Sequence, residues 1–311
     1  MIEVQGLTKH YGERVAVDDL SFVVKPGVVT GFLGPNGSGK STTMRLILGL
    51  DAPTAGTALV AGRAYRDVPA PLFEIGAMLE AHAIHTGRSA RNHLRALAQT
   101  HGIGDARVEE VIDLVGLREV ARQRVGTFSL GMGQRLGIAS SLLGDPRIVV
   151  LDEPVNGLDP EGIRWVRELL RGLAAEGKTV FLSSHMMSEM ALIAERLVVI
   201  GKGRLIADTS VEEFVARASS GAPVHVRSPR AGELRAALER RGGEVSSDTP
   251  QTLVVRGLGV ADVGELAASL SIPLHGLTAQ QLSLEDAFMQ ITRSSVEYGI
   301  GTQASDLRAA A

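Results

Sequence analysis

The 311-residue chain carries 32 basic against 35 acidic side chains, a formal net charge of −3, and is 44% hydrophobic and 22% charged. That composition suits one large or two ordinary domains with a substantial core, and the charge balance excludes bulk attraction to nucleic acid or anionic lipid. With no cysteine, disulfide frameworks, thiolate metal sites and cysteine nucleophiles are excluded too. No run reaches the ~18 apolar residues of a membrane span, and residues 1–6 lack the basic-then-apolar pattern of a signal peptide. The chain is therefore expected in the cytoplasm.

In chain order, apolar runs predict strands over 2–7, 21–24 and 28–33, then a helix over 42–48. Residues 86–140 read mainly as a helical insertion, with Ser89 as a cap. The sheet pattern resumes at 148–151, 179–182 and 196–200, the last forming a hairpin with 204–207. Between them Ile163, Val166, Leu169, Leu170 and Leu173 share one face of a helix over 161–175, and Trp165 is expected to pack beside it. A first α/β domain thus covers 1–215. Small residues over 216–223 predict a linker. Beyond it, strands at 224–227, 252–255 and 274–277 and helices at 231–241, 260–270 and 282–291 predict a small α+β domain over 224–292, followed by a frayed tail at 293–311.

Two motifs carry chemistry. Gly34-Pro35-Asn36-Gly37-Ser38-Gly39-Lys40-Ser41 matches the phosphate loop G-x-x-x-x-G-K-[ST] and sits where that loop must, between a strand and a helix. Its glycines let backbone N–H groups curl toward an anion, and the helix N-terminus adds positive potential. Lys40 would reach the β- and γ-phosphates, Ser41 would bind Mg²⁺, and Thr42 would hydrogen-bond a phosphate. A chance glycine-rich turn is the bland alternative, but it does not demand this strand–loop–helix setting. The second motif is the apolar run 148–151 ending in Asp152-Glu153-Pro154. Side chains alternate along a strand, so the two carboxylates take different tasks: Asp152 the Mg²⁺ shell, Glu153 the attacking water.

Between them, Phe128-Ser129-Leu130-Gly131-Met132-Gly133-Gln134-Arg135 resembles the signature motif of the ATP-binding cassette (ABC) ATPases. Asn156-Gly157-Leu158-Asp159 resembles that family's D-loop, His185 its switch histidine, and Tyr11 its adenine-stacking aromatic. The motifs follow in family order over residues 1–210, and on them the chain is identified as a member of the ABC ATPases. The resemblance implies an α/β fold, a P-loop NTPase core of ABC type with a helical insertion and a small C-terminal α+β domain. It implies ATP and Mg²⁺ as ligands. Tyr11, Ser129, Gly131 and Asp159 would join the phosphate loop in binding nucleotide, and His185 would sense the γ-phosphate beside Glu153 and Lys40.

One position departs from the family. Where a Q-loop glutamine is usual, the segment 75–80 ends in Glu80, as in the exporters of drugs and antibiotic peptides that it resembles. A carboxylate there can still meet Mg²⁺ or orient water, so Glu80 joins the catalytic and metal candidates. Ser89-Ala-Arg-Asn92 keeps the cap of the family's Thr-x-x-Glu box without its glutamate, and Leu284-Glu-Asp-Ala-Phe288 is similar to the ending of drug-export ATPases. His82, His85, His93 and His101 cluster nearby without a helical i, i+4 pair, and are expected at the surface or facing a membrane partner rather than on a metal.

The resemblance implies the ATP-hydrolysing subunit of an exporter. It would work as a homodimer or with a paralogous ATPase subunit, bound to separate multi-span permease subunits at the inner face of the membrane, with no nucleic-acid partner. The competing reading is a soluble regulatory ATPase of the same type. Against it, the chain holds one nucleotide module and no sustained heptads between Lys40 and Asp152. A non-catalytic scaffold is opposed by the presence of both Asp152 and Glu153.

Overall fold

The computed structural model describes residues 1–80, 84–219, 222–280 and 282–292. His82 and the tail at 293–311 lie outside the described residues. Two compact units are found, Met1–Val211 and Glu212–Ile291.

The first unit runs β1 (Ile2–Tyr11), β2 (Arg14–Val24), β3 (Val29–Leu33), α1 (Lys40–Ile47), β4 (Ala55–Val60), α2 (Pro71–Glu74), β5 (Ile75–Met78), α3 (Ala90–Thr100), α4 (Asp105–Leu114) and α5 (Leu130–Leu142). It continues with β6 (Ile148–Asp152), α6 (Pro160–Ala175), β7 (Thr179–Ser183), α7 (Met187–Ile193), β8 (Arg196–Gly201) and β9 (Arg204–Ser210). Two sheets result: an antiparallel one in the order β2-β1-β4, and a six-stranded one in the order β5-β6-β7-β3-β8-β9. In the larger sheet only β9 runs antiparallel, as the hairpin partner of β8. Its parallel strands β3 and β7 are buried throughout, which is why they read as continuous apolar runs rather than alternating ones.

The sheets share a core. Phe22 of β2 meets Phe32 of β3 and Phe181 of β7 with ring centroids 5.7 Å away in each case, and Phe32 and Phe181 are 5.1 Å apart. Ile2, Val4 and Leu7 of β1 and Met44 and Ile47 of α1 complete this cluster. The core therefore fixes the phosphate-loop helix against both sheets. Helix α5 closes on β5 at a point where only glycine fits: a β-carbon on Gly76 would fall 1.7 Å from the Ser141 carbonyl. Helices α3 and α4 are joined by Arg91–Glu109 at 2.6 Å and Arg95–Asp105 at 3.0 Å. The Arg135 guanidinium of α5 lies 4.5 Å above the Trp165 ring, a cation–π contact that accounts for this half-buried tryptophan.

The second unit comprises α8 (Val211–Ser219), β10 (Val224–Arg227), α9 (Ala231–Arg240), β11 (Glu244–Thr249), β12 (Thr252–Arg256), α10 (Val260–Ser269), β13 (Gly276–Ala279) and α11 (Leu284–Thr292). Its antiparallel sheet, ordered β11-β12-β10-β13, with α9 and α10 between the strands, has the split βαβ topology of ferredoxin-like domains. Val224, Val226, Leu234, Leu238, Leu253, Val255 and Val263 form its core.

Where a linker is expected to begin, Ala216–Ser219 instead belongs to α8. Phe214 and Ala218, four residues apart, are both buried, and small residues such as alanine favour helix as readily as loop. Strands β4, β5 and β11 and helix α7 are likewise absent from the sequence expectation. Each is short or polar, and β4 and β5 take their identity from the strand they pair with.

Candidate active site

The phosphate loop leaves the C-terminal end of β3, the position where ligands collect in parallel sheets. Gly37 and Gly39 have φ of 81° and 103°, a conformation that turns successive N–H groups inward as an anion nest. Gly39 is doubly constrained, because a β-carbon there would fall 2.4 Å from the Ala16 carbonyl. A cavity of about 460 Å³ opens above the loop, lined by Tyr11, Arg14, Ala16, the residues Asn36 to Thr42, Asp152 and Glu153. The Gly34 and Pro35 carbonyls, which do not line the cavity, accept hydrogen bonds from Lys40 Nζ at 2.6 and 3.2 Å. Burial pushes the Lys40 ammonium below the usual lysine range, while Glu153 and Asp152 pull it back up. A cation held by neutral carbonyls next to converging N–H groups suits a polyphosphate.

Asp152 and Glu153 face different partners, but not by strand alternation: Asp152 ends β6, and Glu153 follows it in a left-handed turn with φ of 53°. Asp152 Oδ2 accepts from Ser41 Oγ at 2.9 Å, and its Oδ1 accepts from Ser183 Oγ. Glu153 turns instead toward His185, whose Nδ1 lies 2.7 Å from Oε2 and whose backbone N–H donates to the same oxygen at 3.3 Å. An ionised carboxylate only accepts, so in that state the hydrogen bond needs the His185 tautomer with a proton on Nδ1. The pair can take a proton from water at one end and share its charge with an imidazole at the other.

Tyr11 lies at the rim, 47% exposed. Its hydroxyl donates to Asp51 Oδ2 at 2.9 Å, the same oxygen that accepts from Arg45 Nε at 2.8 Å. Lys9 Nζ covers the ring at 4.8 Å. Arg45 first and Tyr11 second hold the Asp51 carboxyl below the usual carboxylate range.

The remaining candidates stand apart from this cavity. Ser129 is exposed and caps α5, accepting from the Met132 N–H at 3.3 Å, with Gly131 in the first turn behind it. Asp159 caps α6, accepting from the Gly162 N–H at 2.8 Å. Glu80 does not line the cavity. It stands with Arg45, Tyr65, His93 and Leu97 around a separate groove of about 470 Å³. In the histidine group, His85 is exposed, and His93 is half-buried with Nε2 3.3 Å from Ser140 Oγ. Burial, then Arg88, lowers the pKa of His93.

A family profile described as ABC transporter matches residues 17–156, and one described as a domain of unknown function (DUF8746) matches residues 222–285. The chain is 35% identical over 300 residues to the Uncharacterized ABC transporter ATP-binding protein YhcH of Bacillus subtilis (strain 168), covering 96% of this chain and 97% of that one. The chain belongs to the ABC transporter ATP-binding proteins. It is 40% identical over 220 residues to the Bacitracin transport ATP-binding protein BcrA of Bacillus licheniformis, covering 70% of this chain and 72% of the relative. Among solved structures, a bacterial ABC transporter cassette in dimeric form superposes with a TM-score of 0.63 at 25% identity, covering 68% of this chain and 98% of that one.

As an ABC ATPase, the chain shows four residues near its site that sequence reading passes over: Arg14, Ala16, Ser183 and Gln134. Arg14 and Ala16 line the cavity from β2, and only Arg14 carries a signal, as a cation three residues after Tyr11. Ser183 opens the polar run that follows an apolar strand. Gln134 lies inside the signature motif, but nothing in its spacing shows that it points at Glu153.

Proposed function

We propose that this chain powers an exporter in which two copies, or one copy and a paralogous ATPase subunit, close around ATP and drive separate membrane-spanning subunits. The observation that carries this reading is the place of Ser129 and Gly131. Both stand at the start of α5, outside the cavity of their own chain, so a second subunit must bring them to the phosphates. The cassette solved as a dimer supports this, and a two-fold arrangement makes two like sites.

At each site Lys40 would exchange its two loop carbonyls for phosphate oxygens, and Tyr11 would stack on the base. Ser41 and Asp152 are the residues to hold Mg²⁺, which supplies charge neutralisation when bound. Glu153 accepts the proton of the attacking water, His185 orients that carboxylate, and Asp159 approaches from the D-loop. Glu80 reaches the metal only if the segment 75–80 moves toward the cavity, and we assign to that movement the link between nucleotide and permease. In this reading the groove beside Glu80 is the permease's docking place, and the docked protein sits at the inner face of the membrane. Cargo resembling antibiotics is supported by the bacitracin-named relative and by two Lantibiotic transport ATP-binding proteins SrtF of Streptococcus pyogenes at 36% identity.

The test is a pull-down of tagged Glu153→Gln protein from mildly solubilised membranes with ATP. Stoichiometric recovery of a multi-span membrane protein is expected. Recovery of the chain alone, or with ribosomes or DNA, would leave the ATPase standing and end the transport reading in favour of a soluble regulator.

A further inference from the structure

We propose that Gln134 is a positioning residue for Glu153, and that through it the signature helix α5 governs the catalytic carboxylate of its own chain. The second half of this rests on the dimer reading above. Glu153 has φ of 53°, a left-handed conformation uncommon for a residue with a side chain. Its backbone is gripped at both ends. The amide donates to Ser183 Oγ at 3.1 Å. The carbonyl accepts from Gln134 Nε2 at 2.7 Å and from the Asn156 N–H, which closes the following turn, at 3.2 Å. Gln134 is 3% exposed and Ser183 fully buried, so neither donor has water to fall back on.

Gln134 lies in the second turn of α5, the helix capped by Ser129. The start of that helix also packs on the turn that follows Glu153. A β-carbon on Gly157 would fall 2.1 Å from Leu130 Cδ2, and one on Gly131 would fall 3.3 Å from the Gly157 carbonyl. Helix start, turn and carboxylate are therefore one packed body. When Ser129 engages the nucleotide held by the partner subunit, any shift of α5 is felt by the Glu153 that serves the nucleotide of its own chain. Each site then reports its occupancy to the other through a buried amide.

The experiment compares Gln134→Met, which keeps length and loses the donor, with wild type in the full chain. We expect kcat to fall by about tenfold to a hundredfold, the cost of a small misplacement of a catalytic group. KM for ATP should stay within about twofold, since nucleotide contacts are untouched. In a Glu153→Gln background the same substitution should cost no further turnover, because it acts through that side chain. Gln134→Glu separates donor from packing: relative to wild type, its activity should recover as pH falls and its carboxyl gains a proton to donate. A kcat for Gln134→Met near wild type, or an equal loss in the Glu153→Gln background, overturns the proposal. The dimer is tested apart, by size exclusion of Glu153→Gln with ATP. A monomer there overturns the cross-subunit half and places the fault in the dimer reading, while the kcat result still decides the positioning role.

Discussion

At the level of single residues, the site is built from side chains already committed to one another. Tyr11, Asp51 and Arg45 form a bridge from the rim of the nucleotide cavity to the phosphate-loop helix, and Asp51 Oδ2 is its shared atom. The bridge fixes the ring that would face the base. Tyr11→Phe and Asp51→Ala should therefore each raise KM for ATP by about twofold to tenfold, the worth of one net hydrogen bond, with kcat unchanged and no further rise in the double variant. Steady-state phosphate release measures this. The bridge also has a pH sign. The Asp51 carboxyl is depressed in the folded protein, so its stabilising effect is present in full above the ordinary carboxylate range and is lost as pH falls through the folded value. The difference in urea midpoint between wild type and Asp51→Asn should accordingly shrink toward zero in acid.

At the level of elements, two features set the geometry. The phosphate loop depends on Gly39, whose φ of 103° and 2.4 Å approach to the Ala16 carbonyl leave no room for a β-carbon. Backbone cannot yield as a flexible side chain can. Gly39→Ala should therefore abolish detectable ATP binding in a nucleotide titration while leaving most helical circular dichroism in place. The second feature is the cap of α6. Asp159→Ala should lower stability to urea by about 1 kcal/mol, the usual worth of a lost N-cap, and Asp159→Asn should restore it. If Asp159 also serves the nucleotide as a D-loop residue, the asparagine variant regains stability without regaining turnover.

At the level of the whole molecule, the apolar core holds the site before any ligand arrives. Phe22, Phe32 and Phe181 lock the two sheets together, and α1 carries Met44 and Ile47 into the same cluster. The would-be metal residues Ser41 and Asp152 are hydrogen-bonded to each other, and Ser183 donates to the same Asp152 carboxylate. Chelation of Mg²⁺ should thus stop ATP hydrolysis without lowering the melting temperature of the nucleotide-free protein, as calorimetry would show. Among the described residues no helix is long and apolar enough to cross a membrane.

The sequence alone determined the phosphate loop, the Asp152-Glu153 strand end and the cap at Ser89, because each depends on local backbone geometry within a few residues, whereas the caps at Ser129 and Asp159 came from the structure. Buried strands such as β3, β6 and β7 were legible for the same reason: a strand covered on both faces needs an unbroken apolar run. Tertiary structure decided the rest. It made a strand of the short segment Ile75–Met78 by pairing it with β6, and it continued α8 through Ala216–Ser219 by burying Phe214 and Ala218. It set Glu80 on a groove rather than on the nucleotide cavity, and aimed Gln134 at the Glu153 carbonyl. Such contacts join residues far apart in the chain, and no local pattern records which distant partner a side chain will meet once the core has closed.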